Sequence, residues 1–180
     1  MSDLILFNKP YGVICQFSAD GKHPTLKDYI AVKDVYAAGR LDTDSEGLLI
    51  LTSDGALQHK ISDPVHKFHK TYWVQVEGEP SAAALRQLEQ GVDVGDFVSA
   101  PAQARAMAQP SGLWPRDPPI RFRKAIPSAW LELTIAEGKN RQVRRMTAKV
   151  GLPTLRLIRY RVGDWTLDGL AAGEWRRMKV

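Results

Sequence analysis

The sequence holds one cysteine and no long apolar run, and these two absences exclude several classes of protein. Because Cys15 is the only thiol among 180 residues, the chain can form no internal disulfide and no cysteine-based zinc site, and we expect Cys15 to be a small buried side chain. Apolar runs such as residues 48–51 are far shorter than the roughly 20 residues that a membrane-spanning helix needs. The start of the chain also lacks the charged and apolar blocks of a signal peptide. We therefore predict a cytoplasmic protein with no membrane association.

The motifs of common nucleotide-binding and hydrolase sites are missing as well. The sequence contains no Gly-Xaa-Ser-Xaa-Gly nucleophile motif and no Gly-Xaa4-Gly-Lys-Ser/Thr phosphate loop. His66 and His69 are three residues apart, but no third metal ligand stands near them in the sequence, so we expect them to be surface histidines. We predict neither a metal nor a nucleotide cofactor.

Positive charge is concentrated at the C-terminal end of the chain. Residues 1–120 contain 11 lysines and arginines against 15 aspartates and glutamates, whereas residues 121–180 contain 14 against 5. The two segments therefore carry formal charges of −4 and +9. Such a layout orients a polyanion onto one surface, and nucleic acid is the leading partner. A basic face that only contacts solvent is the alternative.

The order of the apolar segments predicts an α+β protein, because short strands and short helices alternate irregularly. The region rich in proline, residues 109–119, is expected to be an irregular loop. The predicted strands are residues 4–7, 11–16, 36–38, 48–52, 71–77, 130–135 and 154–162. The predicted helices are a short turn at 25–28, residues 56–61 and 81–90, and a segment that Asn140 opens and Gly151 closes.

The densest group of functional side chains lies in residues 39–49, where three carboxylates and an arginine fall within seven residues. One interpretation is a polar turn whose side chains bond the local backbone. Another is an EF-hand calcium loop that starts at Asp42. Ser53 stands at the twelfth position of that loop, where a bidentate glutamate is required, so the pattern argues against calcium.

A second group of polar side chains lies in residues 137–146. When this segment is placed on a helix, Arg141, Arg145 and Lys149 share the face opposite the apolar one. Arg144 falls on the flank, at the boundary of the core, where an arginine is well placed to pair with a carboxylate. An amphipathic helix with a solvated basic face explains the same pattern without a function.

Three motifs together resemble the RsuA-type pseudouridine synthases of bacterial ribosomal RNA. Residues 39–49, continued by residues 51–55, are similar to the catalytic motif of that family. Residues 70–74 resemble its Lys-Xaa-Tyr motif, and residues 137–146 resemble its arginine motif. The match runs from Leu4 to the C-terminus with the motifs in the family's order.

This resemblance implies a fold and a domain organisation. The fold is the pseudouridine synthase catalytic domain, a mostly antiparallel mixed sheet with flanking short helices and a central RNA-binding cleft. We expect one such domain over residues 1–180, with an N-terminal half of about residues 1–63 and a C-terminal half of about residues 64–180. We expect no S4-type RNA-binding domain before it, although most members of the family carry one.

The resemblance also implies the reaction and the roles of individual residues. Asp42 is the catalytic carboxylate, Tyr72 packs against the target base, and Arg144 holds Asp42 in place and keeps it charged. The reaction isomerises a uridine of 23S ribosomal RNA, needs no cofactor and is expected of a monomer. Attack of Asp42 on C1′ and removal of a C2′ proton are both compatible with the sequence. The residues expected to bind RNA are Arg40, Lys70, Arg141, Arg145 and Lys149.

A protein of another class would explain the same basic surface. A non-catalytic ribosomal-RNA-binding or ribosome-assembly protein also binds RNA in a salt-sensitive way, so binding alone does not distinguish it from an enzyme.

Overall fold

The computed structural model describes residues 1–66, 68–121 and 123–180, which form two compact units. The first unit contains residues 1–68 and 159–180, and the second contains residues 69–158. The predicted halves, divided near residue 63, differ from these units at the C-terminus. Residues 159–180 belong to the first unit because the last strand of the chain pairs with the first one.

The first unit is built on a sheet with a buried centre. Its strands are β1 (Asp3–Lys9), β2 (Tyr36–Ala37), β3 (Glu46–Thr52), the second part of β7 (Thr154–Val162), β8 (Trp165–Thr166) and β9 (Trp175–Lys179), in the order β7-β3-β1-β9, with β2 on β3 and β8 on β7. β1 pairs antiparallel with β3 and with β9. All seven residues of β3 and six of the seven in β1 are buried. These strands are therefore buried on both faces, which makes them the core of the unit.

Two short helical segments in the first unit follow the sequence signals. Helix α1 (Gly55–Ser62) begins after Asp54, whose carboxylate accepts hydrogen bonds from the N–H groups of Ala56 and Leu57. The turn predicted at residues 25–28 is a single 3-10 turn, Leu26–Asp28, in which the Asp28 carboxylate accepts from the Thr25 N–H at 2.8 Å.

The strand predicted over residues 11–16 is wrong. Val13 and Cys15 are buried, as the alternating pattern requires, but Ile14 makes only an isolated bridge to Thr25. Gly12 has a φ of +85° just after β1 and turns the chain out of the sheet. The alternation therefore reflects packing of a loop onto the core and not a strand ladder.

The second unit contains a sheet with β6 between two antiparallel neighbours. Its strands are β4 (Lys70–Glu77), β5 (Gln103–Met107), β6 (Ser128–Ile135) and the first part of β7, in the order β5-β6-β4-β7. The register places Lys70 opposite Ile135 and Tyr72 opposite Leu133. Two helices complete the unit, α2 (Ala82–Gln90) and α3 (Gln142–Lys149).

Both helices of the second unit bury the apolar faces that the sequence predicts. Ser81 caps α2 by accepting the Ala84 N–H at 3.1 Å, and Leu88 is fully buried. In α3, Val143 and Met146 face the core. Residues 109–119 contain no helix or strand, as their prolines predict.

An α+β fold is thus confirmed, and Cys15 is buried as expected. The strands β5, β8 and β9 were not predicted from the sequence. Within the described residues, no helix is both long enough and apolar enough to cross a membrane.

Candidate active site

Asp42 is exposed on a loop of the first unit, between β2 and β3. The loop backbone is hydrogen-bonded although the side chain faces outward. The Asp42 carbonyl accepts the Ser45 N–H at 3.0 Å, and the Thr43 carbonyl accepts the Gly12 N–H at 2.8 Å. Arg40 lies in the same loop and is also exposed. The loop therefore presents a carboxylate and a guanidinium from a fixed backbone.

The chain enters the core directly after this loop. Ser45 and Glu46 are buried, although both are polar. Gly47 follows with a φ of +110°, and a Cβ placed on it would lie 2.7 Å from the backbone nitrogen of Arg159. Only glycine allows β3 and β7 to approach this closely, which explains the glycine of the motif.

Lys9 lies beneath the Asp42 loop and was not identified from the sequence. It is the last residue of β1 and is fully buried. Its ammonium donates to the carbonyls of Val13 at 2.8 Å, Pro10 at 3.0 Å and Thr43 at 3.4 Å. Burial lowers the pKa of Lys9 to about 8, against the opposing effect of nearby acidic groups. The sequence predicted a break between strands at this position, whereas β1 continues through it.

Arg159 is a second buried cation near the loop, and the sequence did not single it out as functional. Its side chain is 4% exposed. The guanidinium donates from Nε to the Leu48 carbonyl at 2.9 Å and from Nη1 to the Arg40 carbonyl at 3.3 Å. Residues 156–159 of β7 are all buried, so strand alternation gives no signal for position 159, and an arginine is normally expected at the surface.

The second unit carries the other predicted site residues. Tyr72 lies on β4, is 8% exposed and belongs to the core cluster of this unit. Lys70 begins the same strand and donates from Nζ to the Glu137 carbonyl at 3.4 Å. Since residues 70 and 72 point to the same face of a strand, β4 presents the lysine and the tyrosine on one side.

A network around Gln142 shapes the turn before α3. The Gln142 side chain is buried, donates to Glu137 Oε1 at 3.0 Å and accepts the Lys139 N–H at 3.2 Å. Arg141, the residue before the helix, adopts a left-handed conformation with a φ of +53° and is exposed. The network thus closes the turn from which Arg141 projects.

The three remaining basic residues of α3 have different surroundings. Arg144 is half-buried, as expected of a residue at the core boundary, and Lys149 is exposed at the end of the helix. Arg145 does not lie on a solvated face as predicted. It is half-buried and forms an ion pair with Asp96 and a hydrogen bond to the Val94 carbonyl at 3.3 Å. This hydrogen-bonded ion pair lowers the pKa of Asp96.

The described part of the chain offers no group of three or more histidine, cysteine, aspartate or glutamate side chains that could hold a metal ion. His66 and His69 are exposed, as the sequence predicts for surface histidines.

Comparison with known proteins decides the family. Residues 3–149 match the model of the family described as RNA pseudouridylate synthase. The chain belongs to this family. The synthase is therefore an isomerase, and the resemblance drawn from its three motifs is confirmed.

Individual relatives of the synthase agree with this assignment. A protein of Xanthomonas axonopodis pv. citri named ribosomal large subunit pseudouridine synthase E is 61% identical over 170 residues, which are 93% of this chain and 90% of that protein. A protein of the same name from Vibrio vulnificus is 55% identical over 177 residues, 98% of this chain and 75% of that protein. Similarity to proteins of this name is also what residues 4–17, 35–38, 113–120 and 153–160 of the sequence predict, and that prediction is confirmed.

A solved structure confirms the fold. The crystal structure of a pseudouridylate synthase matches with a TM-score of 0.78 and 28% sequence identity, covering 99% of this chain and 71% of that chain. The predicted synthase fold is therefore confirmed together with the α+β class.

Proposed function

We propose that the synthase isomerises one uridine of the large-subunit (23S) ribosomal RNA to pseudouridine, with Asp42 as the catalytic carboxylate. The observation that carries the proposal is the Asp42 loop itself, which exposes a carboxylate from a hydrogen-bonded backbone within the segment that resembles the family's catalytic motif. The large-subunit substrate is supported by the names of the relatives that are 61% and 55% identical.

The reaction replaces the N1–C1′ bond by a C5–C1′ bond and consumes no second reactant. The N1–C1′ bond of uridine breaks, the uracil turns, C5 joins C1′, and the hydrogen on C5 leaves as a proton while N1 gains one. Positive charge builds on the ribose when the glycosidic bond breaks, as in glycoside hydrolysis, so an ionised carboxylate stabilises that state. Attack of Asp42 on C1′ and removal of the C2′ proton both require this carboxylate next to the sugar. The overall reaction involves no oxidation, so we expect no cofactor.

The target base must leave its stack, which costs a few kcal/mol that backbone contacts offset. Arg40 is exposed beside Asp42 and is suited to fill the gap left by the base. Arg141 and Lys149 are exposed cations at the two ends of α3 and are suited to hold the flanking strand. Arg145 has a further role in binding Asp96, and Lys70 one in holding the Glu137 carbonyl.

Tyr72 and Arg144 receive their roles from the family motifs. The hydroxyphenyl ring of Tyr72 is largely packed in the core, so its backbone and ring position are fixed by β4. A rigid aromatic wall is what stacking on an extruded base requires. Arg144 is half-buried, and a partly desolvated guanidinium interacts more strongly with a carboxylate than an exposed one does.

The test is the release of tritium from RNA that carries uridine labelled at C5. Only isomerisation removes that hydrogen, so release in proportion to the pseudouridine formed supports the proposal. RNA binding without release would establish the alternative, a non-catalytic ribosomal-RNA-binding or ribosome-assembly protein. Free 23S RNA, free 16S RNA and isolated large subunits serve as separate substrates, and release from 16S RNA alone would contradict the large-subunit assignment.

We also expect the synthase to act as a monomer. Light scattering during size-exclusion chromatography in the assay buffer measures the mass directly, and a mass near twice 20.1 kDa at assay concentration would contradict this expectation.

A further inference from the structure

Two buried cations of the first unit hold the backbone on either side of Asp42. Lys9 donates to the carbonyl of residue 43, and Arg159 donates to the carbonyl of residue 40. We propose that Lys9 and Arg159 are positioning residues that together fix the loop carrying Asp42. The inference rests on the proposed role of Asp42 in catalysis.

The first support for this role is the anchoring of Lys9. Its Nζ is held at 2.8 Å by the Val13 carbonyl and at 3.0 Å by the Pro10 carbonyl, and both belong to the segment that follows β1. The third donor reaches Thr43, next to Asp42. The Gly12 N–H also donates to the Thr43 carbonyl, so this one oxygen accepts from both Lys9 and Gly12. Lys9 therefore joins the Asp42 loop to the buried end of β1.

The second support is the anchoring of Arg159. Its Nε is bound at 2.9 Å to the Leu48 carbonyl in the middle of the core strand β3, and the planar guanidinium then directs Nη1 to the Arg40 carbonyl. Backbone contact between Gly47 and Arg159 fixes where this side chain begins. Arg159 thus sets the position of the loop's entry relative to β3.

The chemistry of Lys9 makes its contribution dependent on pH. An ammonium has three N–H donors for three carbonyls, whereas the neutral amine has only two. The pKa of Lys9 is lowered to about 8 by burial, and the ionisable groups that act on it are Cys15, Glu46, Asp44 and Asp42, each of which opposes that effect. Above this pH one of the three carbonyls loses its hydrogen bond from Lys9, and the Thr43 carbonyl has the longest of the three bonds.

The experiment compares charge-removing variants with matched controls. Lys9→Met and Arg159→Met each remove a buried cation, and Arg159→Lys keeps the charge but lacks the planar fork. Lys27→Met and Arg86→Met are the controls, because each removes an exposed cation outside the proposed site. Each variant is assayed for kcat by tritium release at saturating RNA, for the Kd of the RNA and for the Tm.

For a positioning role, kcat falls while the Kd stays unchanged. A misplaced catalytic group costs up to about 100-fold in rate, so we expect losses of about tenfold or more in kcat for Lys9→Met and Arg159→Met and a smaller loss for Arg159→Lys. The two controls keep the wild-type kcat. A folded Lys9→Met and a folded Arg159→Met that both retain wild-type kcat would overturn the proposal, as would equal loss of kcat and RNA affinity.

A pH profile keeps the proposal testable if a buried-cation variant does not fold. The wild-type kcat is expected to fall above about pH 8, where Lys9 loses its proton, and Cys15→Ala is expected to retain this alkaline decline. A wild-type kcat that is flat to pH 10, or a decline that Cys15→Ala abolishes, contradicts the role of Lys9. Absence of tritium release by the wild type at every pH would instead contradict the proposed function itself.

Discussion

Gly47 lies so close to Arg159 that a Cβ on the glycine would stand 2.7 Å from the arginine's backbone nitrogen and closer still to its carbonyl oxygen. The φ of Gly47 is +110°, a conformation that residues with a side chain rarely adopt. Arg159 binds the Asp42 loop through its side chain. The contact joins Arg159 to Gly47, which follows that loop and Glu46. It therefore couples the local structure around Asp42 to the packing of β3 and β7.

Gly47→Ala is expected to destabilise the protein strongly. The methyl group meets backbone atoms that cannot rotate away, and the backbone strain adds to the clash, so the free energy of unfolding should fall by about 3 kcal/mol or more. Urea denaturation measures this change. Gly55→Ala is the matched control, because Gly55 begins α1 with nothing within 4 Å of its added Cβ, and it should stabilise the protein by up to about 1 kcal/mol. Equal effects of the two substitutions would contradict the described contact.

The packing of α2 is tested by two leucines on the same helix. Leu88 is fully buried in the core of the second unit, whereas Leu85 is half-buried. Leu88→Ala should reduce the free energy of unfolding by about 2–5 kcal/mol, and Leu85→Ala by roughly half as much. The measurement is again urea denaturation, and a larger loss for Leu85→Ala would mean that the helix is rotated from the described orientation.

The exposed cations Arg141 and Lys149 are predicted to contribute to the salt dependence of RNA binding. If each contacts one phosphate, Arg141→Ala and Lys149→Ala should each lower the slope of log Kd against log salt by about 0.7–0.9. Arg86→Ala, on the exposed side of α2, should leave the slope unchanged. Filter binding at several salt concentrations gives the slopes, and unchanged slopes for both α3 variants would remove these residues from the RNA-binding surface.

Lys9 also makes the stability of the protein depend on pH. Its pKa is lowered from 10.5 in the unfolded chain to about 8 in the fold, so between these pH values the unfolded chain binds more protons than the folded one. Burial of the charged ammonium therefore costs stability below this window, and the cost is relieved as the pH rises through it, by a total on the order of 3 kcal/mol. The unfolding free energy of the wild type minus that of Lys9→Met should become more positive from pH 8 to pH 10.5. A signed difference that stays constant or becomes more negative over this range contradicts the burial of a charged Lys9.

Elements with a strong periodic pattern could be predicted from the sequence. The alternation of residues 154–162 defines β7 with its observed ends, and the apolar spacing with Ser81 and Gly91 defines α2. By contrast, β9 escaped prediction because the sequence Trp-Arg-Arg-Met-Lys has three cations and little alternation. Its place depends on pairing with β1 from the other end of the chain, which no local pattern records.

In the candidate site, too, some residues are indicated by a local sequence pattern and others are not. The segment around Asp42 stood out because three carboxylates in a short segment are a local signal, and helical spacing placed Arg144 on a flank, but the roles predicted for both residues came from the resemblance to the family. Lys9 and Arg159 were missed because long cationic side chains are normally exposed. Their burial is compensated by carbonyls of residues that are up to 119 positions away in the sequence, and only the folded chain brings these together.

The measurement that tests the account most directly is the turnover of Asp42→Asn. The amide keeps the shape of the side chain but removes the negative charge, so the variant should fold, bind 23S RNA with wild-type affinity and release no tritium from C5-labelled uridine. Asp34→Asn is the control, because Asp34 is exposed and has a φ of +59° that asparagine also tolerates, and it should be fully active. Substantial tritium release by Asp42→Asn would contradict the role of Asp42 and, with it, the mechanism proposed for the synthase.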